Sequence, residues 1–205
     1  MRSYLKHVRK LFLPTLMVFA ISGSYGADEI NGRLDSEFIS AELRRSLTDP
    51  DSKVQVKVAA PRDYVFSFLT GRLDEYADGA VALEFDHDES ATSKRLDQGS
   101  LRITTMDNRE TLVQRFLLLN APSEFAYFTD MERSTLSAPL KYSVTRYSLI
   151  TLDRETTELS VAVTYEASSR LFTFLVNRAF NSALRRDFER AAEIIAEKYY
   201  KERLD

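Results

Sequence analysis

The stretch Arg170–Tyr200, RLFTFLVNRAFNSALRRDFERAAEIIAEKYY, decides the fold. It holds no proline and no glycine. Apolar residues recur at Phe172, Leu175, Val176, Ala179, Phe180, Ala183, Leu184, Phe188, Ala191, Ala192, Ile195 and Tyr199. Steps of three and four place these on one stripe of a helix. Arg178, Arg185, Arg186, Arg190, Glu193, Glu197 and Lys198 fall on the opposite face. The spacing therefore predicts one long amphipathic helix, and such a helix needs a broad apolar surface to lie on.

The residues before it supply that surface as strands. Val54, Val56 and Val58 alternate with Gln55 and Lys57, the signature of a half-buried strand. Ala59-Ala60-Pro61 leads into a helix carrying Tyr64, Val65, Phe66, Phe68 and Leu69, with Pro61 suited to its first turn and Gly71 its stop. A short helix over Leu73 to Ala77 follows. From Ala80 the period is two: Val81, Leu83 and Phe85, then Leu101, Ile103 and Thr105. Thr111 to Asn120 reads as buried on both faces, and Phe125 to Met131 as a further strand. Tyr142 to Leu152 and Glu158 to Ala167 read as a long hairpin, with Leu159, Val161, Val163 and Tyr165 on the inward face of its second arm. Segregated strands and helices predict an α+β chain with a curved antiparallel sheet wrapped around the C-terminal helix, two short helices following the first strand.

Residues 1–26 are set aside from the fold. Arg2, Lys6, Arg9 and Lys10 form a basic segment, Leu11 to Ile21 an apolar run, and Ser24 and Gly26 the small residues before a cut at Ala27. This is the pattern of a cleavable signal peptide; a membrane span needs about 20 apolar residues, and Pro14 interrupts a run already short. Residues 27–51 form a helical leader, with Phe38, Ile39, Glu42, Leu43 and Leu47 as a weak stripe ended by Asp49-Pro50-Asp51. Residues 52–201 form the domain. A periplasmic or secreted location is the expectation.

Four of the 28 basic residues and none of the 31 acidic ones precede Ala27, which leaves 24 against 31 and a net charge of −7. An acidic domain repels phosphate backbones, so nucleic acid is not an expected partner; membrane contact is transient at most. There is no Cys, hence no disulfide and no thiol chemistry. His87 is the one histidine after Ala27, so no Cys-His dyad and no two-histidine metal site can form. Glu84, Asp86, Asp88 and Glu89 flank it, but ligands from one strand end do not make a fixed metal site. No catalytic residues, metal or cofactor are assigned.

The order strand, two helices, six strands, long helix resembles the START-like helix-grip superfamily of polyketide cyclases and dehydratases, START lipid-transfer domains and plant pollen-allergen ligand binders. VQVKVAAPRDYVFSFL, Val54 to Leu69, resembles the superfamily's opening strand and helix. YSVTRYSLITLDRETTELSVAVTYE, Tyr142 to Glu166, resembles its penultimate hairpin, and Ser134 to Pro139 the flap that gates the cavity. The resemblance implies a cavity between sheet and helix for a hydrophobic small molecule or lipid. Its expected walls are Tyr127, Tyr142, Tyr147, Tyr165, Phe172 and Val176, with Gln114 and His87 as polar groups. Gln114 and Arg146 are each inward or outward according to a one-residue register choice. The alternatives are a cyclase- or dehydratase-type enzyme using His87 or a tyrosine pair, and an interaction module with a collapsed cavity.

Overall fold

The computed structural model describes residues 35–136, 138, 140–168 and 170–204, giving the course of the helix but not its side chains over 170–182. Residues 1–26 and the cut at Ala27 lie outside the described residues. Eleven elements follow in chain order: α1 Ser36–Thr48, β1 Ser52–Val58, α2 Arg62–Gly71, α3 Leu73–Tyr76, β2 Ala80–Asp86, β3 Leu101–Met106, β4 Thr111–Asn120, β5 Glu124–Asp130, β6 Leu140–Asp153, β7 Thr156–Ala167 and α4 Arg170–Leu204. The strands form one antiparallel sheet in the order β1-β7-β6-β5-β4-β3-β2. Pro61 takes an extended conformation (φ −61°, ψ 148°) and caps α2 from outside, one position before the first turn expected for it.

The concave face holds the main core. Val54, Val58, Phe116, Phe125, Leu159 and Val161 from the strands meet Phe68 and Leu69 of α2 and Phe188, Ala191 and Ile195 of α4. Phe188 stands edge-on to Tyr147 at 5.7 Å between ring centroids. The helical spacing thus buries its stripe as expected wherever the side chains are described.

The convex face is also covered. Asp35 caps α1 by accepting the Phe38 amide at 2.7 Å, and Phe38, Ile39 and Leu43 pack on Leu117, Phe128, Tyr142 and Val144. Glu42 is buried in this contact and accepts the Thr164 hydroxyl at 2.6 Å. The leader helix is therefore docked on the back of the sheet. Tyr142 belongs to that outer layer, not to the space between sheet and α4; this corrects its place among the expected walls. The cause is phase: β6 turns Tyr147 and Leu149 inward, so Tyr142, Val144 and Arg146 point out. Val81 is likewise 59% exposed, because the register of β2 shifts between Ala80 and Ala82.

A charge network ties the C-terminal end of α4 to α3. Arg72 reaches Glu75 at 2.5 Å and Glu202 at 2.7 Å, and Lys198 reaches Glu75 at 2.5 Å. Hydrogen bonds from Arg72 and Lys198 lower the Glu75 pKa to about 2. A carboxyl depressed in the folded state stabilises fully above its unfolded pKa and loses that contribution as pH falls towards the folded value. Acid denaturation followed by circular dichroism should show stability falling between about pH 4.5 and pH 2, and Arg72→Ala should flatten the slope in that window. An unchanged slope would remove Glu75 from the acid response.

Candidate functional site

The sheet's concave face is not uniformly apolar. Opposed residues in an antiparallel ladder share a face, and the register aligns Phe85, Arg102, Gln114, Thr129, Ser143 and Tyr165 straight across β2 to β7. Four of the middle members are polar, and Arg102, Gln114, Thr129 and Ser143 are all buried. Thr104 and Thr145 extend the band on neighbouring rows, both buried. A sheet face that serves only as core reads apolar at inward positions; these six hydrogen-bonding side chains need another explanation.

Arg102 is the centre of this band. It is fully enclosed. Its Nε and Nη2 both donate to the Gln114 amide oxygen, at 2.9 and 2.7 Å, and Nη1 donates to the Leu69 carbonyl at 3.0 Å. The guanidinium lies 4.9 Å from the centre of the Tyr127 ring and 5.7 Å from that of Phe116, within cation–π range. Leu69 and Thr70 end α2, so Arg102 also sits at the negative end of that helix.

A tyrosine pair adjoins it. The hydroxyls of Tyr127 and Tyr147 are 2.9 Å apart, and Tyr147 stacks on Phe125 at 4.2 Å. Burial pushes the Tyr147 phenol well above its usual pKa, Tyr127 and Tyr76 add to the rise, and Arg102 opposes it. Burial raises Tyr76 in the same way, and its hydroxyl donates to the Leu69 carbonyl at 3.1 Å. Both phenols are therefore held in the protonated form. Two further hydroxyls on inward-phased positions, Ser52 Oγ and Thr104 Oγ1, are buried with no hydrogen-bond partner among the described residues.

Gln114, Tyr127 and Tyr147 thus come together around Arg102, and Tyr165 stands on the same face at the β7 end of the row. His87 sits at the rim, stacked on Phe85 at 6.0 Å, with Nδ1 3.0 Å from Ser100 Oγ. It pairs with a hydroxyl, so no carboxylate orients it as the base of a triad would require. Arg146 lies on the convex side, donating to the Leu43 carbonyl and paired with Glu124. Phe172 and Val176 fall where side chains are outside the described residues. Among the described residues no group of three His, Cys, Asp or Glu could hold a metal, and the groove between β1 and α4 mixes Val56, Ala59, Ala192 and Ala196 with Gln55, Lys57, Glu189 and Glu193. The residue that sequence reading missed is Arg102. Its signal was the pairing Arg102–Thr104 at one phase of a strand whose other phase, Leu101 and Ile103, attracted the apolar assignment.

No protein-family model matches the chain, and neither does any curated protein. Solved structures do. Norcoclaurine synthase from Thalictrum flavum, in complex with dopamine and hydroxybenzaldehyde, is similar with a TM-score of 0.52 at 15% identity, covering 73% of this chain and 85% of that one. XoxI from Bacillus cereus gives 0.54 at 8% identity, over 73% and 94%. The Zhui aromatase/cyclase from Streptomyces sp. R1128 gives 0.50 at 17% identity, over 73% and 92%. Identities this low show the fold alone, and the fold is START-like helix-grip.

Proposed function

We propose that the chain holds a hydrophobic small molecule or lipid between the concave face and α4, acting as a carrier. The observation that carries this reading is the buried polar band in an otherwise aromatic interior. Ligand sites are mainly apolar with a few placed polar groups, and Arg102, Gln114 and the Tyr127–Tyr147 pair form such a set within Phe116, Phe125 and Phe188. A scaffold with a collapsed cavity would gain nothing from a fully enclosed guanidinium that costs desolvation. Native mass spectrometry of the purified protein should reveal a co-purified amphiphile. An apolar probe at a hundredfold excess over its dissociation constant should stabilise the fold by about 2.7 kcal/mol. No bound species and no rise in melting temperature across a panel of fatty acids, alcohols and sterols would leave the scaffold reading in its place.

The carrier is proposed to work outside the cytoplasm. The basic segment, short apolar run and small residues before Ala27 support this. N-terminal sequencing of protein from its native host should begin at or near Ala27; retention of residues 1–26 would defeat the proposal.

A further inference from the structure

Arg102 carries a charge that its surroundings do not answer. Its acceptors, Gln114 Oε1 and the carbonyls of Leu69 and Thr70, are all neutral. Among the described residues no carboxylate pairs with it, and residues 170–182, the part of α4 whose side chains are not described, contain no acid. The negative end of α2 and the faces of Tyr127 and Phe116 favour the cation, but none of them is an anion. Buried charges are normally paired. The neighbouring phenols do not supply the anion, since burial keeps Tyr76 and Tyr147 protonated.

The geometry around the guanidinium specifies what is missing. One oxygen of Gln114 accepts from both Nε and Nη2, the edge on which arginine takes a carboxylate in a fork. The amide fills that position in shape but brings no charge. Two residues along the same face of β3, Thr104 Oγ1 is buried without a partner among the described residues, a donor directed to the same interior. We infer that the ligand is a carboxylate on an apolar body, and that its head replaces the Gln114 amide oxygen at the Nε–Nη2 edge of Arg102. The inference rests on the carrier reading above and narrows its ligand to a chemical class.

Dodecanoate and dodecan-1-ol share a chain and differ in the head, so their affinities for the wild-type protein separate the two readings. A charge-assisted pair in place of a neutral one predicts at least about a tenfold preference for dodecanoate. Arg102→Met should abolish the preference while dodecan-1-ol still binds. Because that variant removes a buried network and can fail to fold, the wild type supplies a second readout. The 15Nε–Hε resonance of Arg102 should shift on adding dodecanoate and stay in place with dodecan-1-ol. Equal affinity of the two probes overturns the carboxylate inference and leaves the carrier reading standing, as does a dodecanoate preference without movement of the Arg102 signal. Binding of neither probe overturns the carboxylate inference, and the carrier reading falls with it only if the wider panel of fatty acids, alcohols and sterols also fails to bind.

Discussion

Phe125→Ala is expected to lower stability by about 3–5 kcal/mol, the range for truncating an enclosed phenylalanine. Phe125 is fully buried. It stacks on Tyr147 at 4.2 Å, meets Phe66 edge-on at 5.6 Å and lies 6.3 Å from Phe116. It therefore joins α2 to the middle of the sheet, and its removal opens a void bordered by aromatic rings that cannot collapse together. Urea denaturation should show a lower midpoint at unchanged slope, since the surface exposed on unfolding is nearly the same. A loss below about 1 kcal/mol would mean that the ring already borders empty space, and would place Phe125 in a cavity wall instead of the core. Val56→Ala at the margin of the same cluster, where the side chain is 9% exposed, serves as the smaller reference.

Element types were legible because their periods differ. The stripe on α4 and the alternation of β1 and β7 each bury one face, and the two-period hairpin of β6 and β7 leaves little choice of partner. Faces were less legible, for a physical reason. Alternation identifies the inward phase only when the other side meets water. On β6 the outward Tyr142 and Val144 are covered by α1, so both phases read as apolar. On β3, Leu101 is 3% exposed and Arg102 0% although they point to opposite faces. Hydrophobicity alone picks Leu101 as core and leaves Arg102 in solvent; the structure enclosed the arginine by giving it Gln114, Leu69 and two aromatic faces. Gln114 was readable as inward, but its partner lay on a strand whose phase had been assigned the other way. The pairing of a buried cation with a neutral amide could not be seen until both residues were on one face.

The second large effect tests the pair itself. Gln114→Leu should cost about 3 kcal/mol or more, because it removes the acceptor of two hydrogen bonds to a charged group, each worth about 1.5–3 kcal/mol. Arg102 is fully enclosed. Adding Arg102→Met to that variant should restore most of the loss, since exchanging both partners of a buried polar contact for apolar groups of similar shape is close to neutral. Leu69 keeps the Tyr76 hydroxyl as a donor in the double variant, so its carbonyl is not stranded. The cycle should thus give a coupling energy well above the scatter of about 0.5 kcal/mol seen for independent sites. Additive losses would mean that Arg102 is held by Leu69 and the aromatic faces and owes nothing to Gln114. A double variant that folds at wild-type stability has a further consequence. The arginine would then be dispensable for stability, the result expected of a charge kept for the ligand proposed above.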